Sequence, residues 1–211
     1  NNSDEAVDAF HSGKVSNYWR VTNDGSLRHP AVELVLYRPL KGADLARALN
    51  LAYKWIDDYG LETSNRTALH VHIDVRDWTF KQLINFVSSY MLFENVLFDW
   101  TGDKRKSNLF CVAWSMASDH VRNLGTLVKF CQEKTSDRMV CRAAENLVRS
   151  DVRYSALNLQ ALSDLGTVEF RHLETPTDLR EVYQWINILL FLVENGQKSG
   201  MEELIEQASA V

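Results

Sequence analysis

Proline is scarce in this chain, 3 among 211 residues, and no stretch is rich in Pro, Gly or Ser. That excludes collagen-like repeats, Pro-rich stalks and flexible interdomain linkers. Cysteine is scarce as well. Cys111, Cys131 and Cys141 are an odd number without a framework spacing, which argues against a disulfide-stapled fold and reads as reduced thiols in a cytoplasmic protein. Long apolar runs are missing too: the longest, Ile186 to Val193, is broken by Asn187 and is too short to cross a bilayer, so no membrane partner is expected. Nor is there an excess of basic charge. Lys and Arg number 23 against 28 Asp and Glu, and a net charge of −5 argues against nucleic acid as a partner. The local basic patch Lys104-Arg105-Lys106 is short. No secretory signal is evident, and the chain opens on Asn1-Asn2-Ser3-Asp4-Glu5 without a methionine, so residues are expected upstream.

What remains is an ordinary globular composition, 45% hydrophobic and 24% charged. At this length residues 1–211 suit a single domain with a substantial core. Tyr18 to Val21 reads as a strand that enters a tight turn at Asp24-Gly25-Ser26, and the apolar Ala31 to Tyr37 completes a hairpin. Leu45, Ala48, Leu49, Ala52, Trp55 and Ile56 recur at helical spacing, with Gly60 placed to end that helix. A strand follows near 67–75, then a helix capped by Thr79 and running to about Phe98. The middle holds a loop around Gly102-Asp103 and helical stretches near 119–133 and 137–149. Strands are expected at Tyr154–Leu159 and Gly166–His172, then an amphipathic helix over Asp178–Glu194 and a short one after Ser199. Strands in adjoining pairs with helices between them predict an α+β fold, its mostly antiparallel sheet covered by helices on one side and open on the other.

Two strands carry chemistry. In Leu69-His70-Val71-His72-Ile73-Asp74-Val75, alternation puts the four apolar residues on one face and His70, His72 and Asp74 on the other. In Thr167-Val168-Glu169-Phe170-Arg171, Val168 and Phe170 bury while Glu169 and Arg171 project together. Side chains two apart on a strand stand about 6.5 Å from one another, close enough to share a metal or a phosphate. Each feature also has a bland explanation: histidines on a solvent face, an exposed ion pair worth little, a solvated Arg105 in a polar loop, Glu33 facing water from an apolar strand. Cys111, among Phe110, Val112 and Trp114, reads as a core thiol rather than a nucleophile. Trp55, Trp78, Trp100 and Trp185 read as core, and Tyr154 and Asn158 as packing or bonding within the sheet.

Taken in order, these pieces resemble the amidoligase family, a branch of the glutamine synthetase-like carboxylate–amine ligases. The matching segments are Trp19-Arg20-Val21-Thr22-Asn23-Asp24-Gly25-Ser26-Leu27, Val32-Glu33-Leu34-Val35, Leu69 to Asp74, Arg105 with Asn108 and Cys111, Tyr154 to Leu159, Gly166 to His172, and the helix with Trp185-Ile186. The resemblance implies a glutamine synthetase-like catalytic fold and ATP-dependent joining of a carboxylate to an amine through an acyl-phosphate. It implies Mg²⁺ held by Glu33, His70 and Glu169, phosphate contacts from His72 and Arg171, and a second anion-binding group in Arg105. General chemistry agrees, since Mg²⁺ bridges nucleotide phosphates and arginine neutralises charge on a transferring phosphoryl group.

Two departures stand out. Family members begin with a strand bearing a Glu-x-Glu-like pair, and nothing before Trp19 resembles it, so that strand is expected upstream or the metal set is incomplete. After Arg171-His172 the family tends to run into Gly-Thr, where this chain has Leu173-Glu174-Thr175-Pro176-Thr177. Two rival readings follow: a non-catalytic binding or assembly protein on the same fold, and a zinc hydrolase built on His70, His72, Asp74 and Glu169.

Overall fold

The computed structural model describes residues 16–23, 31–64, 66–106, 108–133, 136–149 and 154–198. Their contacts gather into two compact units, the first within Asn1–Thr67 and Thr175–Val182, the second within Ala68–Glu174 and Tyr183–Val211.

In the first unit, β1 (Trp19–Asn23) and β2 (Val32–Leu36) pair antiparallel, with Trp19 opposite Leu36 and Thr22 opposite Glu33. The predicted hairpin pairing is present; its turn at Asp24-Gly25-Ser26 lies outside the described residues. The helix α1 (Gly42–Tyr59) buries Ala48, Leu49 and Ala52, the stripe its spacing announced. It ends as expected at Gly60, whose φ of +58° is the left-handed conformation a glycine adopts without steric cost. The Trp19 indole Nε1 donates to the Ala48 carbonyl at 2.8 Å, tying the hairpin to the helix.

The second unit holds β3 (Ala68–Asp74), β4 (Leu157–Asn158) and β5 (Thr167–Glu174), in the order β3-β5-β4 with both pairings antiparallel. The class is α+β, as predicted. Among the described residues, however, the strands form two small antiparallel sheets, where the order of elements led to an expectation of one. The long helix α2 (Phe80–Thr101) starts in a capping box: Gln82 N–H donates to the Thr79 hydroxyl, and the Thr79 N–H donates to Gln82 Oε1. Phe86, Val87 and Tyr90 of α2 pack against Val168 and Phe170 of β5, joined by Trp185, Leu189 and Val193 of α7 (Leu179–Gly196). Leu124 and Leu127 of α4 (Ser118–Gln132) and Ala143 and Leu147 of α5 (Asp137–Arg149) complete this core. Fully burying each such large side chain contributes about 1.5–3 kcal/mol.

Three local expectations are revised. The region after Gly102 is not simply a loop, because Asp103–Lys106 forms the short helix α3. Of Tyr154–Leu159 only Leu157–Asn158 is a strand, with an isolated bridge between Ser155 and Val112 beside it. Trp100 is not core: it is 40% exposed and stacks on the buried Trp185. The helix expected after Ser199 and the polar start of the chain lie outside the described residues. Among those residues no helix is long and apolar enough to cross a membrane.

Two features of β5 place its side chains. The chain enters the strand from α6 (Ala161–Leu165) through Gly166, whose φ is +69° and where a Cβ would stand 2.3 Å from Arg76 Cγ, so only glycine fits. Farther along, the register against β3 shifts. His72 lies opposite Glu169 and Val71 opposite Phe170, but Leu69 lies opposite Leu173. Arg171 and His172 therefore face His70 alone, a β-bulge with its extra residue on β5.

Candidate functional site

The outer face of the β3-β5-β4 sheet gathers the predicted residues around one carboxylate. Register alone brings Glu169 between neighbours: His72 is directly across on β3 and Asn158 directly across on β4. Glu169 Oε1 accepts from Arg171 Nη1 at 2.7 Å and lies 3.1 Å from His70 Nδ1 and 3.8 Å from His72 Nε2. Its Oε2 accepts from the Asn158 amide at 2.7 Å. The other nitrogen of the His72 ring, Nδ1, is 2.9 Å from the Thr167 hydroxyl. The sequence-level pairing of the two strands therefore holds. The imidazoles and the Glu169–Arg171 couple share a face, and Val71, Ile73, Val168 and Phe170 point to the core behind it.

The electrostatics follow from this crowding. The Glu169 side chain is only 7% exposed, and that burial by itself pushes its carboxyl up. The hydrogen bond from His70 and the charges of Arg171, His70 and His72 outweigh burial and hold it down at about 2. Glu169 is thus ionised at neutral pH. The surrounding side chains are exposed to a graded degree, His72 the most and Arg171 the least.

Other predicted residues sit elsewhere. Asp74 shares the face of the histidines, but both its oxygens are taken by Arg76, which binds them through Nε and Nη2. Glu33 is exposed on β2 of the first unit. Arg105 is not a solvated loop residue. Only 1% exposed on α3, it donates from Nε to the His172 carbonyl at 3.0 Å and from Nη2 to the Arg171 carbonyl at 2.6 Å. Cys111 is a buried thiol as expected, and burial pushes it up to about 11. That is opposite to what a nucleophilic cysteine needs.

Behind the sheet lies a polar cluster that sequence reasoning did not find. His172 is fully buried with its Nε2 3.0 Å from the Tyr90 hydroxyl, which donates to Glu94; Glu94 also accepts from the backbone N–H groups of Trp114 and Ser115. Since the single Tyr90 hydrogen goes to Glu94, His172 Nε2 carries the hydrogen of its own bond. Burial first, and the Arg105 charge second, push His172 down to about 3, so it is neutral. Thr167 was also missed as a site residue, and Asn158 was read only as a sheet residue. Their contacts depend on pairing register, which no local pattern announces.

Could this face hold Mg²⁺? Among the described residues no group of three or more His, Cys, Asp or Glu side chains is arranged to grip a metal. Glu169 and His70 are the pair the face offers, and Glu169 already has partners on both oxygens. That suits Mg²⁺ only in its weakly held form, arriving with nucleotide phosphates and keeping most of its waters. The four residues of the zinc set are likewise not gathered as one ligand group among the described residues, and Asp74 pairs with Arg76.

A family model described as "Putative amidoligase enzyme" matches residues 8–193, a span that takes in the five described strands and every residue of this face. Neither a curated protein nor a solved structure matches the chain.

Proposed function

The chain belongs to the amidoligase family, and on that footing we propose that it is an ATP- and Mg²⁺-dependent ligase. It activates a substrate carboxylate as an acyl-phosphate and then joins it to an amine. The observation that carries the reading is the convergence of Arg171, His70 and His72 on an ionised Glu169 at an accessible sheet face. Mg²⁺ beside Glu169 and His70 would neutralise charge on the nucleotide phosphates. The rest falls to the chain's own side chains.

Glu169 fixes Arg171 by a charge-assisted bond and is fixed in turn by Asn158. A guanidinium held in this way is preorganised for the charge that develops on a phosphoryl or carboxylate oxygen. His72, the most exposed of the set, presents its ring edge to the same anion while Thr167 holds its Nδ1. Glu33 joins the ligand set on the family resemblance alone. A cytoplasmic location is part of the same proposal, supported by three free thiols.

Purified protein supplied with ATP and Mg²⁺ should release ADP and phosphate only when a carboxylate and an amine are both present, with an amide product detected by mass spectrometry. Nucleotide binding without any product from a broad panel would leave a binding protein on a ligase fold and overturn the proposal. So would product formed without ATP.

A further inference from the structure

The bulge on β5 solves a problem of alternation. Without an extra residue, Glu169, Arg171 and Leu173 would all fall on one face of the strand. In the structure Glu169 and Arg171 face the site, whereas Leu173 is buried in the core, opposite Leu69. The change of phase occurs at Arg171 and His172, the two residues that face His70.

A bulge breaks the hydrogen-bond ladder, and acceptors left without partners inside a protein are costly. The carbonyls of Arg171 and His172 are the two acceptors that the Arg105 guanidinium engages, through Nη2 and Nε. A planar fork matches a pair of adjacent acceptors in a way a single ammonium cannot. The chain delivers Arg105 to that point by ending α2 at Gly102, with a φ of +86°, and turning at once into α3. With its side chain so thoroughly enclosed, Arg105 has no route to a substrate anion.

We infer that Arg105 is a positioning residue: its guanidinium clamps the β5 bulge and thereby sets Glu169 and Arg171 against His70 and His72. Its effect on turnover rests on the proposed ligase reading; its effect on the strand does not.

The test uses the full chain with Arg105→Lys, which keeps the charge and loses the fork, and Arg105→Gln, which loses both. Amide hydrogen exchange should accelerate about tenfold or more at Arg171, whose N–H bonds the Ala156 carbonyl, and along the facing part of β3. Amides in α1 and the β1–β2 hairpin should exchange as in the parent. In the ligase assay Arg105→Lys should lower kcat about tenfold with KM for the amine nearly unchanged, the pattern of a misplaced transition-state group. If Arg105→Gln fails to fold, the lysine variant alone decides the matter. Parent-like exchange at Arg171 in a folded variant, or acceleration spread evenly over the second unit, overturns the clamp. If the parent itself makes no amide, the ligase reading fails while the exchange result still judges the clamp.

Discussion

Two glutamates in this chain have nearly the same local sequence and opposite circumstances. Glu33 lies in Val32-Glu33-Leu34, and Glu169 in Val168-Glu169-Phe170. Glu33 belongs to a two-stranded ladder, faces Thr22 across it and is exposed. Glu169 belongs to the central strand of a three-stranded sheet, with neighbours on both sides, and meets Arg171, His70, His72 and Asn158. The difference teaches that an acidic residue on a strand becomes an electrostatic centre through its pairing partners. A central strand supplies two rows of partners, a hairpin one.

The largest effect expected from breaking this contrast is at Glu169. Glu169→Gln leaves Arg171 and two imidazoles around a neutral amide. The cost in stability should be about 2–3 kcal/mol, less than for a fully enclosed pair because the imidazoles reach solvent. Urea unfolding reads that loss, and turnover in the ligase assay should fall about a hundredfold or more. A stability change near zero would mean that the ion pairs of this face contribute nothing net.

Acid separates the sheet's two faces. His172 on the core side is held down to about 3, against an ordinary 6.5, so its neutral form belongs to the folded state. Its contribution is complete above 6.5 and is lost as pH falls from there toward 3, because the unfolded chain takes the proton first. Glu169 on the site side is held down at about 2, against an ordinary 4.5; its contribution is complete above 4.5 and is lost as pH falls toward 2. Stability should therefore decline in two stages. The first comes from His172, whose slope approaches about 1.4 kcal/mol per pH unit, together with His120, which burial also holds below 6.5; the second is steeper, once Glu169 joins. Urea midpoints measured between pH 7 and 3 check this. In His172→Phe the first stage should shrink to the part that His120 contributes, and an unchanged first stage there would assign it to another group.

The smallest effect is at Glu33. Glu33→Gln should move stability by no more than about 0.5 kcal/mol, as for an exposed site without buried partners. Turnover is the sharper measurement. A fall with stability intact is expected if Glu33 serves the metal, and unchanged turnover would remove it from the ligand set and leave Glu169 to act without it.

Much of this was legible in the letters. The helix at 43–59 with its terminal glycine, the helix opening at Thr79, the pair near 119–133 and 137–149, and both site strands followed from local period and end signals. The faces followed as well, since alternation alone put His70 and His72 on one side of β3, and Glu169 and Arg171 on one side of β5. What misled was context. Arg105 sits among Lys104 and Lys106 in a run that reads as solvated, yet it is buried because its donors meet two backbone carbonyls from a segment 66 residues away. Trp100 reads as core, yet α2 turns it outward.

The amino-acid sequence by itself determined most of the longer elements, the side of each site strand that bears chemistry, and the family. Those depend on interactions within a few residues or on the order of motifs along the chain. Tertiary structure alone decided that Glu169 faces His72 and Asn158, that β5 carries a bulge beside the site, that Asp74 pairs with Arg76, and that the described strands, expected in one sheet, form two. Register and burial arise from pairing between segments far apart in the chain, and a shift of one residue in that pairing moves every side chain to the opposite face.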